Sequence, residues 1–455
     1  MDADLFVKEM VDRARAAQEE FENCNQEQVD AVCRAIAMAI YDNAEPLARM
    51  AVDETRMGVY EDKVKKNRGK SRLIWYDMKG KKSVGIIDRL PEKGLVLVAK
   101  PMGVVGAVTP TTNPIVTPMC NAMFALKGRN AIIICPHPRA KKCSGEAVRL
   151  MKEALLPLGV PQDLIQIIDE PTVEVSGQVM KQCDVCISTG GMGMVRAAYS
   201  SGKPAFGVGA GNVQTIIDED VDLEEAVKKI IEGRTFDNGI ICACEQTAIM
   251  PKSRFEEAVE IFKKNGALYI DKPADVQKLR NVLFPGGVIG KNVVGQSATD
   301  IAKMCGFDVH EEIRLILAKA DSYGKSDLLS KEKMCPVITI YDNINDWDEC
   351  VQAALKNLEY EGKGHSVCIH SNNTEHIEAA AEILPVSRFV INQVCSTNDG
   401  GSFFNGLNPT TTLGCGSWGN NSISENVSWR HLFNVSRVAY VRPNATMPSD
   451  EEIWA

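Results

Sequence analysis

The chain has 455 residues, of which 45% are hydrophobic, 24% charged and 6% aromatic. This profile fits a globular protein with a large aliphatic core and excludes a disordered or fibrous chain. The 51 basic and 60 acidic residues leave a formal charge of −9; no basic stripe interleaved with aromatics stands out, so nucleic acid is not an expected partner.

Met1 to Glu20 is charged throughout and reads as an amphipathic helix, not a signal peptide. Val29, Val32, Ile36 and Ile40 follow at helical spacing, with Asn25 as the expected N-cap. Lys63 to Lys70 is locally basic and reads as a solvated loop or helix face. Ser83–Ile87 and Leu95–Ala99, separated by Pro91 and Gly94, predict a β-hairpin. The uncharged stretch Pro101 to Leu126 is long enough to cross a bilayer by count. However, Pro110, Pro114, Pro118, Asn113, Asn121 and several threonines would leave polar groups unpaired in lipid, so a buried, turn-rich functional segment is expected and no membrane partner.

From Val104 to Val208 short apolar runs (Ala131–Cys135, Leu164–Ile168, Val185–Ser188, Ala205–Val208) alternate with helix-compatible stretches such as Ala140–Leu156 and Met192–Ser200. Buried parallel strands with helical crossovers explain that alternation, and such sheets bind nucleotides at the carboxyl ends of their strands. A second alternating series runs from about Ile240 to Asn392, and a strand is expected near Val435–Val441. The architecture predicted is α/β in two lobes.

Fifteen cysteines without secretory features predict free thiols in a reducing, cytoplasmic setting. Cys183 and Cys186 form a C-x-x-C with no second pair, and His137, His310, His365, His370, His376 and His431 are scattered, so no metal site is predicted. One thiol stands apart. Cys242 follows Asn238-Gly239 and two isoleucines at the start of the second series. A free thiol with a pKa of about 8.5 is only slightly ionised at neutral pH and needs N–H donors or a base to become a nucleophile. On spacing alone, a core thiol competes with that reading. Asn113, held in Thr109-Pro110-Thr111-Thr112-Asn113-Pro114, could donate its amide to an oxyanion, a contribution of about 3–4 kcal/mol in a transition state. Val208-Gly209-Ala210-Gly211-Asn212 is a glycine turn after a strand, where a cofactor could approach the backbone. Gly190-Gly191-Met192-Gly193 is a weaker glycine turn and not a dinucleotide fingerprint.

Asn113 in its Thr/Pro setting, the turn at 208–212, Cys242 and Glu332-Lys333-Met334-Cys335-Pro336 resemble, in order and spacing, the aldehyde dehydrogenase superfamily. The strings His137–Lys141, Ala197–Pro204, Phe236–Cys242 and Leu413–Gly419 resemble its CoA-acylating branch, including the aldehyde half of bifunctional aldehyde–alcohol dehydrogenases. Met57–Glu61, Ile115–Met119 and Glu451–Trp454 are similar to the CoA-dependent succinate-semialdehyde dehydrogenases. The likeness covers nearly the whole chain.

That resemblance implies a cofactor domain over 1–235 with the hairpin 83–100 as oligomerisation element, a catalytic domain over 236–405, and a C-terminal segment 406–455 returning to the first domain and the oligomer interface. It implies Cys242 as nucleophile, with Asn113 and the Cys242 N–H as oxyanion donors. NAD or NADP would be held by Thr109, Pro110, Thr111, Thr112, His137, Pro138, Thr189, Gly190, Gly191, Val208, Gly209, Glu332 and Pro336; Arg139, Lys141 and Lys142 could favour the 2′-phosphate of NADP or form a solvated helix start. Ser396 and Thr397 would meet the substrate. Coenzyme A would take the acyl group, with His365 either serving as a base or positioning group for its thiol or being a hydrogen-bonded loop residue. Val208 stands where hydrolytic relatives carry a glutamate base, which favours thiolysis over hydrolysis.

The expected reaction is reversible reduction of succinyl-CoA to succinate semialdehyde by a homo-oligomer. A short aldehyde such as acetaldehyde is the alternative, because the loop Gln393–Gly401 offers no Arg for a carboxylate and Asp399 would repel one if it faced inward. A cysteine acyltransferase or hydrolase pairing Cys242 with His365, without nicotinamide, is the alternative of another class. With no alcohol dehydrogenase segment after Ala455, only the aldehyde step is expected.

Overall fold

The computed structural model describes residues 2–309, 312–442 and 445–455; His310 lies outside the described residues. Four helices open the chain: α1 (Ala3–Phe21), α2 (Gln26–Asp42), α3 (Ala44–Thr55) and α4 (Tyr60–Met78). The start of α2 is set by a reciprocal cap, in which Asn25 accepts from the Gln28 N–H while the Gln28 side chain accepts from the Asn25 N–H. Its four periodic residues, Val29, Val32, Ile36 and Ile40, are fully buried.

After the hairpin strands β1 (Gly85–Leu90) and β2 (Leu95–Pro101), the strands β3 (Val104–Thr109), β4 (Ala131–Pro136), β5 (Ile165–Ile167), β6 (Val185–Thr189) and β7 (Ala205–Val208) form one parallel sheet in the order β5-β4-β3-β6-β7. The chain steps outward from β3 to β5 and then returns to the other side of β3. The reversal opens a crevice beyond the carboxyl ends of β3 and β6, the position where open α/β sheets bind ligands. Between β3 and β4 the expected turn-rich segment is instead a loop followed by a fully buried helix α5 (Val116–Lys127). Pro118 sits in its first turn, where its missing N–H has no intrahelical partner to lose.

The second lobe contains β8 (Gln214–Ile217), β9 (Thr247–Ala248), β10 (Ala267–Ile270), β11 (Leu315–Lys319), β12 (Val337–Ile340), β13 (Gly364–His370) and β14 (Val386–Ile391) in two parallel sheets, β10-β11-β12-β9 and β14-β13-β8. The bridge Ile216↔Ile249 joins them. The crossing between lobes therefore precedes the expected boundary at 235. β8 pairs with β13, and the helix Leu223–Thr235 packs its Val227, Ile230 and Ile231 into the core that contains Phe255 and Ile338.

The C-terminal strand β15 (Phe433–Ala439) returns to pair antiparallel with β2, making the three-stranded sheet β1-β2-β15. No helix among the described residues is long and apolar enough to cross a membrane.

Candidate active site

Cys242 is delivered by a left-handed loop. After the helix Leu223–Thr235 the residues Asp237, Asn238 and Gly239 all have positive φ, of 51°, 54° and 68°. For the two residues with a side chain that conformation costs of order 1–3 kcal/mol each and must be held by its surroundings. Asp237 is fully buried; its Oδ1 accepts from the Val59 N–H at 2.8 Å, and its Oδ2 accepts from Lys66 Nζ at 2.6 Å and Lys63 Nζ at 3.0 Å. Its own N–H donates to Asp62 Oδ2, and Asn238 Nδ2 donates to the Gly295 carbonyl, both at 3.0 Å. The loop then turns through a Cys244 N–H to Ile241 carbonyl bond. Cys242 is left half-buried at a cavity wall, whereas Cys244 packs inside, fully buried.

The cavity has a volume of about 490 Å³ and is lined by Cys242, Asn113, Lys66, Lys70, Ser396 and Thr397, with Val116, Leu73, Phe236 and Leu413 among its apolar surfaces. Asn113 Oδ1 accepts from Lys66 Nζ at 2.7 Å. An ammonium only donates, so the Asn113 oxygen must be the atom facing it and the amide NH₂ is turned away. Lys66 uses its three N–H groups on Asn113, Asp237 and, at 3.4 Å, the Thr112 carbonyl. Lys70 Nζ donates only to the Gly400 carbonyl among the described residues, at 2.9 Å. Burial pushes its pKa down to about 8, which leaves a nearly full charge with spare donors at neutral pH. The hydroxyls of Ser396 and Thr411 have no partner among the described residues.

The basic run 63–70 is thus a solvated face only at Lys65 and Arg68. Lys63 and Lys66 are buried and Lys70 lines the cavity. The signal lay in the spacing: positions 63, 66, 70 and 73 share one helix face, and that face carries the buried Leu73.

On the other side, Thr109 to Thr112, His137 and Pro138, Thr189 to Gly191, and Val208 and Gly209 follow the carboxyl ends of β3, β4, β6 and β7, where Thr109 pairs with Pro136 and Thr189 with Val208. Among the described residues Thr109 Oγ1 and Ser188 Oγ are buried without partners, and nothing lies within 4 Å of a Cβ built on Gly190 or Gly191. This open backbone with orphaned hydroxyls fits a dinucleotide. Pro336 belongs to the second lobe, buried before β12 with its carbonyl accepting from the Ile316 N–H. Arg139 donates to the Thr55 carbonyl and Lys141 to Glu170, so two of the three cations considered for a 2′-phosphate have partners.

The two sides meet at Gly211, where a methyl group would overlap the Cys242 carbonyl. Its N–H donates to Glu332 Oε1 at 3.2 Å. Burial raises the Glu332 carboxyl to about 8, and burial with the negative charges of Glu332 and Asp399 pushes the Cys242 thiol well above its ordinary value. Without a ligand the surroundings therefore oppose ionisation of Cys242, contrary to the lowering that a nucleophile requires.

His365 opens β13, fully buried, with neither ring nitrogen hydrogen-bonded among the described residues; its Nδ1 is 3.9 Å from Asp399 Oδ2. Burial and Arg388 hold it neutral. It does not line the cavity that holds Cys242. Asp399 is not among the residues lining the cavity; it accepts from Ser366 Oγ at 2.7 Å and pairs with Arg388 at 3.3 Å, so its carboxylate meets a cation before it meets a ligand.

Among known proteins, the model of the aldehyde dehydrogenase family matches residues 3–277. A succinate-semialdehyde dehydrogenase (acetylating) from Clostridium kluyveri is 50% identical over 456 residues, covering 100% of each chain. The crystal structure of an acetylating aldehyde dehydrogenase from Geobacillus thermoglucosidasius superposes with a TM-score of 0.93 at 38% identity, covering 98% of both chains. A propionaldehyde dehydrogenase from Rhodopseudomonas palustris, solved with bound CoA and an acylated cysteine, superposes with a TM-score of 0.85 at 28% identity over 96% of this chain and 97% of that one.

Proposed function

The chain belongs to the aldehyde dehydrogenase family, and from that premise we propose that it interconverts succinyl-CoA and succinate semialdehyde through an acyl thioester on Cys242. One observation carries the reading: a single cavity brings together a thiol, an amide whose N–H groups are free among the described residues and a lysine whose remaining donors are unused among them. A carbonyl carbon at Cys242 and a carboxylate at Lys70 Nζ, with Ser396 and Thr411 as further donors, describe a short ω-carboxylated aldehyde. The cation missing from the loop 393–401 is supplied by α4.

In the oxidative direction the Cys242 sulfur adds to the aldehyde carbonyl, and the amide of Asn113 with the Cys242 N–H holds the resulting oxyanion. A nicotinamide bound along the carboxyl edge of β3 and β6 would take the hydride, as NAD or NADP. Collapse leaves the acyl group on Cys242. The thiol of CoA then displaces Cys242, thioester for thioester, and His365 is a candidate to position that thiol. Val208, buried at the end of β7, supplies no carboxylate to activate water, which favours CoA as acceptor.

We further assign the chain to a cytoplasmic homo-oligomer. Among the described residues the outer edges of β1 and β15 are unpaired, and Ile86, Val438 and Tyr440 are exposed beside them.

Absorbance at 340 nm with succinyl-CoA and acetyl-CoA, each with NADH and NADPH, tests the assignment. Succinyl-CoA should exceed acetyl-CoA at least tenfold in kcat/KM; the opposite order would replace the substrate with acetaldehyde, and no signal with any acyl-CoA would favour a cofactor-free cysteine hydrolase.

A further inference from the structure

We propose that Lys66 is a positioning residue that sets the oxyanion donor and the loop bearing the nucleophile as one unit, an inference that rests on the roles given above to Asn113 and Cys242. Its ammonium bridges Asn113 Oδ1 at 2.7 Å and Asp237 Oδ2 at 2.6 Å. With the Thr112 carbonyl as third acceptor it has no N–H left for a substrate. It therefore acts through Asn113 and does not touch the reacting atoms.

Two consequences follow from that bridge. An amide can turn over, and if Asn113 did so its carbonyl oxygen would face the developing oxyanion, replacing attraction by repulsion. The cation on Oδ1 forbids that orientation. The same cation also neutralises Asp237, which opens the run of left-handed residues leading to Cys242. A displacement of about 1 Å between reacting groups can cost on the order of 100-fold in rate, so one residue that holds both partners controls their separation. Lys63 provides an internal control, because it shares Asp237, at 3.0 Å, and makes no bond to Asn113 among the described residues.

The test compares Lys66→Met, Lys63→Met, Asn113→Ala and the double variant Lys66→Met/Asn113→Ala in the full chain. Single-turnover acylation of Cys242 by succinyl-CoA, followed by mass spectrometry, is measured with steady-state kcat and KM, thermal midpoint and nicotinamide fluorescence on binding. Removing an oxyanion donor costs about 100- to 1000-fold, which is the loss expected for Asn113→Ala. Lys66→Met should slow acylation by about 10- to 100-fold while KM and nicotinamide binding stay near wild type. Lys63→Met should lower the thermal midpoint similarly with a much smaller loss of rate, and the double variant should be no slower than Asn113→Ala.

Equal rate losses for the two lysine variants, or multiplying losses in the double variant, would overturn the proposal. Unchanged acylation in Asn113→Ala would instead overturn the reading of the site itself. Should Lys66→Met fail to fold, Lys66→Gln decides: its amide has two N–H donors but no positive charge to hold Asn113 Oδ1 and neutralise Asp237, and an undiminished kcat would overturn the role of the cation.

Discussion

Lys70 and Gly400, separated by 330 residues of sequence, meet at the cavity wall, where Lys70 Nζ donates to the Gly400 carbonyl at 2.9 Å. That single bond fixes the ammonium without exhausting it. A charge-assisted hydrogen bond is worth about 1.5–3 kcal/mol, so Lys70→Met should lower kcat/KM for succinyl-CoA by about 10- to 100-fold and leave acetyl-CoA within about threefold. Equal losses on both substrates would remove Lys70 from substrate recognition.

The same lysine implies a pH signature. Its pKa in the free enzyme is lowered to about 8, chiefly by burial, so the charge is present below pH 8 and lost above it. Since kcat/KM reports the free enzyme, the ratio of kcat/KM for succinate semialdehyde to that for acetaldehyde should fall as pH rises through 8. In Lys70→Met the ratio should be flat. A wild-type ratio that does not change between pH 7 and 9 contradicts the assignment.

Cys242 is surrounded by groups that disfavour its thiolate: burial, then Glu332 and Asp399. Alkylation by iodoacetamide without nucleotide should therefore be slow at pH 7 and should still be rising at pH 9. Peptide mass spectrometry resolves Cys242 from the fully buried Cys244 and Cys415. A plateau reached at or below pH 8.5 would show a thiol more acidic than these surroundings permit.

Arg388 and Asp399 form a fully enclosed pair at 3.3 Å, in which Arg388 also donates to the carbonyls of Gly414 and His365 and to Ser366 Oγ. Taking away the cation strands Asp399 in the interior, at a cost of about 3–5 kcal/mol. Arg388→Met should move the urea midpoint down accordingly, and Arg388→Met with Asp399→Leu should recover much of the loss. If the double change is as damaging as the single one, the hydrogen bonds of Arg388 and not its charge dominate.

What could be read in the sequence was what depends on near neighbours. Asn25 capped α2 because its partner Gln28 is three residues away. The strands β3 to β7 are visible as apolar runs, and their parallel arrangement puts the segments that follow Thr109, Pro136, Thr189 and Val208 on one edge, whereas Glu332 and Pro336 stand in the other lobe. The burial of Lys63 and Lys66 is not local in origin, because the carboxylate that pairs with them, Asp237, is 174 and 171 residues distant. The place of β8 beside β13 is set in the same non-local way, since its pairing with Ile369 and His370 comes from far along the chain. The charge run 63–70 holds enough periodicity to mark one face, whereas nothing local distinguishes Arg388 from a surface arginine.

Glu332 offers a last test because its two roles separate by isostere. Its Oε1 accepts the Gly211 N–H, which Gln can also do, while burial and the nearby Glu361 raise its carboxyl to about 8 against an ordinary value near 4.5. A carboxyl raised on folding keeps its proton in the native state after the unfolded chain has lost it. Its contribution is therefore present below pH 4.5 and is lost as pH rises towards 8, because the unfolded state then binds fewer protons than the folded one. Glu332→Gln has no such group, so its unfolding free energy relative to wild type should increase with pH from about 4.5 to 8 and level off above that. Groups that titrate equally in both proteins cancel in the difference, which makes urea melts at four or five pH values sufficient. A difference that does not vary with pH would mean that Glu332 is ionised in the native protein at neutral pH, already compensated by its surroundings.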